Sequence, residues 1–307
     1  MAVCHHALPH VTSRGRIALV VLIAFVYGVC YSAIKAGLVY APPLGYAGLR
    51  ALIAGAALLA YQAVRRRPLL PPRALWMTVA AVALVGTALG FGAMFLSPGR
   101  TGAGIASVLG NTEPLMIVAV AAVFLHEPLT RGKVAALVLA FTGVSLIAYP
   151  GLTGPTAYGL AGLLLPLGAA AGAAAESLIV KRANVRTDVL LVAAWQLLLG
   201  SVILLGASAG FERAQPVIWS PVFAGLLLFL ALAGTAFTTA LWYWLIQQDD
   251  VGRLSLMLFL APVFGLLLAA ALFGERIGRF ELTGVVFAIA GTAVVAWEAL
   301  RAPRPTA

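Results

Sequence analysis

The chain has 307 residues, of which 62% are hydrophobic and only 10% charged, with a mean hydropathy of +1.02. Soluble domains are about a quarter charged, so this composition excludes water as the main solvent. A net charge of +10 suits a nucleic-acid binder, yet the basic residues sit at the ends of apolar segments, which is how membrane topology is set.

Apolar runs follow one another at 16–38, 44–64, 74–96, 101–125, 133–149, 157–180, 189–209, 220–246, 252–273 and 280–300, which predicts ten helices. At roughly 20 residues per crossing they use about 200, leaving about 10 for each connection and tail and no room for a soluble domain. The first run follows Arg14 and Arg16, as a signal peptide would. It is longer than a signal core, however, and reads as a retained span. Cys4 and Cys30, the two cysteines, imply no disulfide framework. With the N-terminus inside, 14 of the 20 Lys and Arg fall on the inner side and four on the outer, and Lys35 and Arg50 lie within helices. The positive-inside rule then predicts that both termini are cytoplasmic.

The two halves of the chain resemble each other. At a shift of 148 residues Gly86-Thr87-Ala88 falls on Gly234-Thr235-Ala236, Gly104 on Gly252, Ser107 on Ser255, Pro114 on Pro262, Glu127 on Glu275, Arg131 on Arg279 and Gly143 on Gly291. Earlier in the repeat a shift of 146 pairs Lys35 with Lys181 and Arg50 with Gln196. This predicts an all-α integral membrane fold of two five-helix repeats, 1–150 and 151–307. Five is odd, so the second copy enters the membrane upside down, the symmetry that lets exchange of the two halves' conformations alternate access to a central cavity.

Inverted repeats place their solute site near the midplane, at helices broken in matching positions. Pro114 and Pro262 occupy such positions in the fourth and ninth runs, and each deprives the carbonyl four residues earlier, on Gly110 or Leu258, of its helical partner. In lipid such groups must face protein, water or solute; the plain alternative is a kink that neighbours absorb. Asn111 and Glu113 share this stretch. Glu113 is too deep to snorkel, so it contacts a solute ammonium, serves proton coupling, or pairs with Arg50 inside the protein. Glu176 and Lys35 lie closer to the surfaces and read as structural or interfacial. Tyr31, Phe91, Trp242 and Phe259 are candidate walls of a pocket for a small amphipathic solute, while most other aromatics read as packing. Gly284, Ala288 and Thr292 form a small-residue strip that suits either an internal helix contact or a dimer face.

The same sequence offers no metal triad, no intramembrane nucleophile system and no phosphate loop: His5, His6 and His10 lie in the N-terminal tail, His126 at a helix end, and Gly132-Lys133 lacks the upstream glycine. No cofactor, metal or nucleic-acid partner is expected.

Two five-helix repeats, Glu113-Pro114 in the fourth helix, and a Glu-Arg junction before the last helix of each half followed by Gly143 or Gly291 resemble the drug/metabolite transporter superfamily. More narrowly, the chain resembles the ten-helix EamA exporters, among them the YddG-like amino-acid exporters. The resemblance implies a central cavity lined by helices 1, 3, 4, 6, 8 and 9, with helices 5 and 10 peripheral. It also implies export of small metabolites, chiefly aromatic or other neutral amino acids, across a bacterial inner membrane. A nucleotide-sugar or phosphate-ester antiporter of the same superfamily, and a membrane-embedded enzyme, stay open as alternatives. A bilayer and a small solute are the expected partners, with a monomer favoured over a dimer. In the second half Phe259 and Ala261 stand where the first has Asn111 and Glu113, so a site at this level is asymmetric.

Overall fold

The computed structural model describes residues 12–97, 110, 112–152, 160–185, 189–213, 215–273 and 278–301. Among them run ten helical segments: α1 (Ser13–Gly37), α2 (Pro43–Val64), α3 (Arg73–Leu96), α4 (Glu113–Phe124), α5 (Arg131–Leu152), α6 (Leu160–Arg182), α7 (Val189–Phe211), α8 (Pro221–Ile246), α9 (Val251–Phe273) and α10 (Arg279–Arg301). The observed ends lie within three residues of those expected, except that the first part of the fourth run falls outside the described residues. Six of these helices (α1, α2, α3, α6, α7 and α8) are long and apolar enough over their described residues to cross a bilayer.

Local chemistry sets several helix starts. The Thr12 hydroxyl accepts the Gly15 N–H at 3.2 Å, Ser220 accepts the Phe223 N–H at 3.1 Å, and Asp250 accepts the Arg253 N–H at 2.8 Å. Pro43 and Pro221 open α2 and α8, where a missing N–H costs nothing. Outward-facing Leu89, Val138, Val202, Leu228 and Val286 remain exposed in the isolated chain, an apolar surface suited to lipid.

The helices pair by a pseudo-two-fold rule. α2 packs on α7 and α5 on α10, each pair made of equivalent helices, while α1 packs on α9 as α6 packs on α4. At the α5–α10 contact a Cβ on Gly143 would stand 2.5 Å from the Ala288 backbone nitrogen, and one on Gly291 would stand 2.8 Å from the Ala136 carbonyl oxygen and the Ala140 nitrogen. Ala136, Ala140 and Gly143 map onto Gly284, Ala288 and Gly291 at the same 148-residue shift. The strip on α10 is therefore an internal contact at which both backbones approach closely.

Each repeat also distorts its third helix at the equivalent place. α3 widens to π-type turns over Ala83–Phe91 and α8 over Leu232–Phe237, the stretches that carry Gly86-Thr87-Ala88 and Gly234-Thr235-Ala236. Such widened turns leave backbone groups out of the regular ladder and gather at functional sites.

Gly143→Val or Gly291→Val forces α5 and α10 apart and is expected to cost about 1–3 kcal/mol, an overpacking penalty. Melting of the detergent-purified protein measures it, with Gly225→Val, where a Cβ meets nothing within 4 Å, as the unperturbed control.

Candidate functional site

The two widened turns hold the repeats together through crossed hydrogen bonds. Arg50, on α2 of the first repeat, donates through Nε to Thr235 Oγ1 at 2.5 Å and through a terminal nitrogen to the Gly234 carbonyl at 2.9 Å, both on α8 of the second. Gln196, its equivalent on α7, accepts the hydroxyl of Thr87 on α3 of the first. Equivalent residue pairs thus bond across the repeats in both halves, with the threonine accepting in one and donating in the other. Arg50 also lies over the Phe91 ring, 4.8 Å from its centroid.

Between these locks lies a cavity of about 130 Å³, bordered by α1, α2, α3, α4, α6, α8 and α9. Its polar lining comes from Tyr27, Arg50, Glu113, Glu176, Ser177 and Thr239; Phe91, Met94 and Trp242 form apolar walls, and Gly86, Gly90, Ala169, Ala170, Ala173 and Gly234 a smooth floor. The floor is small by necessity: a Cβ on Gly86 would collide with the Glu176 carboxylate, and one on Gly234 would stand 2.5 Å from Cys30 Sγ. Outside α5 a wider groove along Leu129, Val134 and Val138 opens toward lipid and, apart from Arg131, is apolar.

The residues expected from the sequence divide. Glu113, Phe91, Trp242, Gly110 and Leu258 border the cavity, and Trp242 is fixed there by donating its indole N–H to Ser177 Oγ at 3.0 Å. Asn111, and the side chain of Tyr31, lie outside the described residues. Phe259 departs from expectation. It is fully buried in the hydrophobic core and does not border the cavity, because the chain tightens to a 3-10 turn over Met257–Phe259 and Leu258 takes the inward place. The prolines differ in mechanism as well: the described part of α4 starts at Glu113 with Pro114 in its first turn, and Pro262 lies in the first turn after the 3-10 segment. Pro114 thus stands where a missing N–H costs little, at the start of the described part of α4, while Pro262 follows a 3-10 turn inside the continuous run of α9.

Glu176 is the main residue that sequence reasoning misplaced. Counted along α6 it lies near the surface, yet it borders the cavity and accepts the Tyr243 hydroxyl on Oε1 at 2.6 Å. Lys181 instead donates to the backbone carbonyls of Asp249, at 2.7 Å, and Ile246. The repeat held a usable signal, since the 146-residue shift that pairs Arg50 with Gln196 also pairs Cys30 with Glu176 and puts both at the depth of the site.

Below the cavity, at the end of the bundle where α1 begins, an ionic cluster ties the repeats together. The carboxylate of Glu127, between α4 and α5, accepts the N–H groups of Val251 and Gly252 at 2.9 and 3.0 Å and so caps α9 of the other repeat. Lys133 donates to Asp250 at 2.6 Å, and Arg16 and Arg253 both meet Asp249. At the opposite end Glu212 caps α2, accepting the N–H groups of Leu44 and Gly45 at 3.0 and 3.1 Å. Burial, helped by the neighbouring Asp250 carboxylate, pushes the Glu127 carboxyl up to about 7. Burial acts on Asp250 in the same sense but is outweighed by hydrogen bonds from Glu127 and Lys133, which hold Asp250 below the usual carboxylate range.

Ten helices in two inverted repeats around a cavity lined by Arg50, Glu113 and Glu176 define a membrane transporter. The chain matches the EamA-like transporter family over residues 15–149 and 160–297 and belongs to that family. It is 28% identical over 283 residues to a probable amino-acid metabolite efflux pump of Salmonella typhimurium, covering 89% of this chain and 92% of that one. It is 27% identical over 277 residues to the uncharacterized transporter YvbV of Bacillus subtilis, covering 90% of each. A solved crystal structure 19% identical in sequence superposes with a TM-score of 0.77 over 93% of this chain and 96% of that one, and so shares the fold.

The raised carboxyl of Glu127 has a defined sign. Its proton is held more tightly in the folded chain than in the unfolded one, so its contribution to stability is full below about 4.5 and lost as pH rises toward about 7. Glu127→Gln removes that loss: across this interval the melting temperature of the variant is expected to change more positively with pH than that of the wild type.

Proposed function

We propose that this chain is a secondary transporter that exports small metabolites, with aromatic and other neutral amino acids as the solute class, by alternating access. It lies in a bacterial inner membrane as a monomer with both termini cytoplasmic, and residues 1–150 and 151–307 rock against each other around the cavity. The observation that carries the reading is the cavity itself, which lies between two repeats joined by equivalent hydrogen bonds and carries groups suited to a small polar solute. The orientation rests on the excess of Lys and Arg on the side of the chain's start. Amino acids are supported by the efflux pumps among the relatives. A phosphate ester would call for several converging cations, whereas Arg50 alone of the lysines and arginines borders the described cavity.

In this reading Glu113 supplies polar recognition together with Asn111, Phe91 and Trp242 form the walls with Tyr31, and the breaks at Gly110–Pro114 and Leu258–Pro262 shape the half-helices that move. A cavity of about 130 Å³ has room for on the order of four waters at ~30 Å³ each, below the usual range for a bound drug-sized ligand. Larger amino acids therefore enter only as the repeats part.

Purified protein in proteoliposomes is expected to show saturable counterflow of labelled neutral amino acids that is absent from empty vesicles. Glu113→Ala, at equal incorporation, is expected to lower the initial rate by at least about 10-fold, the size of effect seen when a buried polar contact to a solute is removed. Unchanged flux in that variant would remove Glu113 from the site, and absence of flux for the whole set would remove the amino-acid assignment.

A further inference from the structure

Two carboxylic side chains and one guanidinium border one small cavity deep in a membrane protein: Arg50 from α2, Glu113 at the start of α4 and Glu176 from α6. Each is costly at that depth. The repeat shows which residues the fold itself demands, because a structural requirement of one half recurs in the other. Gly86 and Gly234, Thr87 and Thr235, Pro114 and Pro262, and Gly143 and Gly291 are identical pairs, and the structure uses several of them in equivalent contacts. The three charged positions break this rule. Arg50 faces Gln196 across the repeat, Glu113 faces Ala261, and Glu176 faces Cys30. The cross-repeat lock is made by neutral Gln196 as well as by Arg50, so holding the repeats together does not require a positive charge.

Two of the three groups are also held by their own anchors. Thr235 and Gly234 hold the Arg50 guanidinium against Phe91, and the Tyr243 hydroxyl holds Glu176. Anchoring of this kind fixes charges in advance for a ligand and lowers the ordering cost of binding.

We infer that the cavity is a receptor for a zwitterion, in which Arg50 takes the α-carboxylate of a free amino acid and Glu113 with Glu176 takes its α-ammonium. The solute is thus recognised by its backbone charges, and its side chain lies against the Gly and Ala floor and the Phe91 and Trp242 walls. This rests on the transport reading above and deepens it, adding Arg50 and Glu176 to the binding site. A guanidinium carries five N–H donors in a planar fork matched to a carboxylate, and a pair of carboxylates suits an ammonium with its three donors. The inference excludes simple amines and simple carboxylic acids as good substrates, because each forgoes one of the two charge-assisted contacts that the amino acid makes.

The test is inhibition of counterflow in proteoliposomes, using labelled L-alanine and L-phenylalanine against each amino acid's decarboxylated amine and its deaminated acid. The unlabelled amino acid is expected to inhibit at least about 10-fold better than either fragment, the minimum for a site that loses a buried charged contact. Glu176→Gln is expected to narrow the gap between the amino acid and the deaminated acid while leaving the gap to the amine in place. Arg50→Lys, which keeps the charge, is expected to retain discrimination against the amine that Arg50→Gln loses. The wild-type comparison stands by itself if Arg50→Gln fails to fold. Saturable flux that the amine or the acid inhibits as well as the amino acid does would overturn the zwitterion receptor and leave transport standing. No flux of either amino acid from monodisperse protein would overturn the amino-acid transport reading and this inference together.

Discussion

A polar group in lipid must find its partner inside the protein, and the bond from Arg50 to Thr235 meets that demand at the centre of the molecule. It joins the second helix of one repeat to the third helix of the other, and Thr87 with Gln196 repeats the connection in the opposite sense. Both contacts use a threonine in a widened turn. The cavity lies between these bonds, floored by the glycines that precede the two threonines. The crossed bonds, the widened turns and the cavity are therefore one feature seen at three scales.

The remaining polar interactions sort by depth. At the two ends, carboxylates of one repeat cap helices of the other, Glu127 on α9 and Glu212 on α2, which satisfies terminal N–H groups and neutralises the positive helix end. The end where α1 begins carries the denser set of charges, with Arg16, Lys133, Asp249, Asp250 and Arg253 in contact. Between the ends the packing is apolar and close, most of all where Gly143 and Gly291 let α5 and α10 touch backbone to backbone. That pair joins the two repeats through helices that do not border the cavity.

Much of this was legible because membrane sequences are strongly constrained. Run length and hydropathy give the helices, since a span needs a set number of apolar residues, and the 148-residue shift gives the repeat. The repeat aligns Gly143 with Gly291 but leaves open what the α10 strip packs against; the structure sets each glycine against the equivalent strip of the other helix. Depth along a helix was a poorer guide to what a side chain faces. Glu176 was assigned to the surface by its distance from the end of α6, but its rotation about the helix axis aims it at the cavity. Phe259 reads from the sequence as a wall because it is an aromatic on a helix that reaches the site, but a local 3-10 turn places it in the core and brings Leu258 forward.

The sequence by itself determined the solvent, the number and limits of the helices, their duplication, and the presence of charges that lipid cannot solvate. These follow from composition and periodicity, which are properties of a chain read in one dimension. Tertiary structure decided which charges share a cavity, that Arg50 binds Thr235 and Gly234, and that Tyr243 rather than a nearby lysine holds Glu176. These depend on helix rotation and on the register between elements more than 60 residues apart. A widened or tightened turn changes that rotation by a fraction of a turn, too little to alter the hydropathy pattern and enough to exchange one side chain for its neighbour at the site.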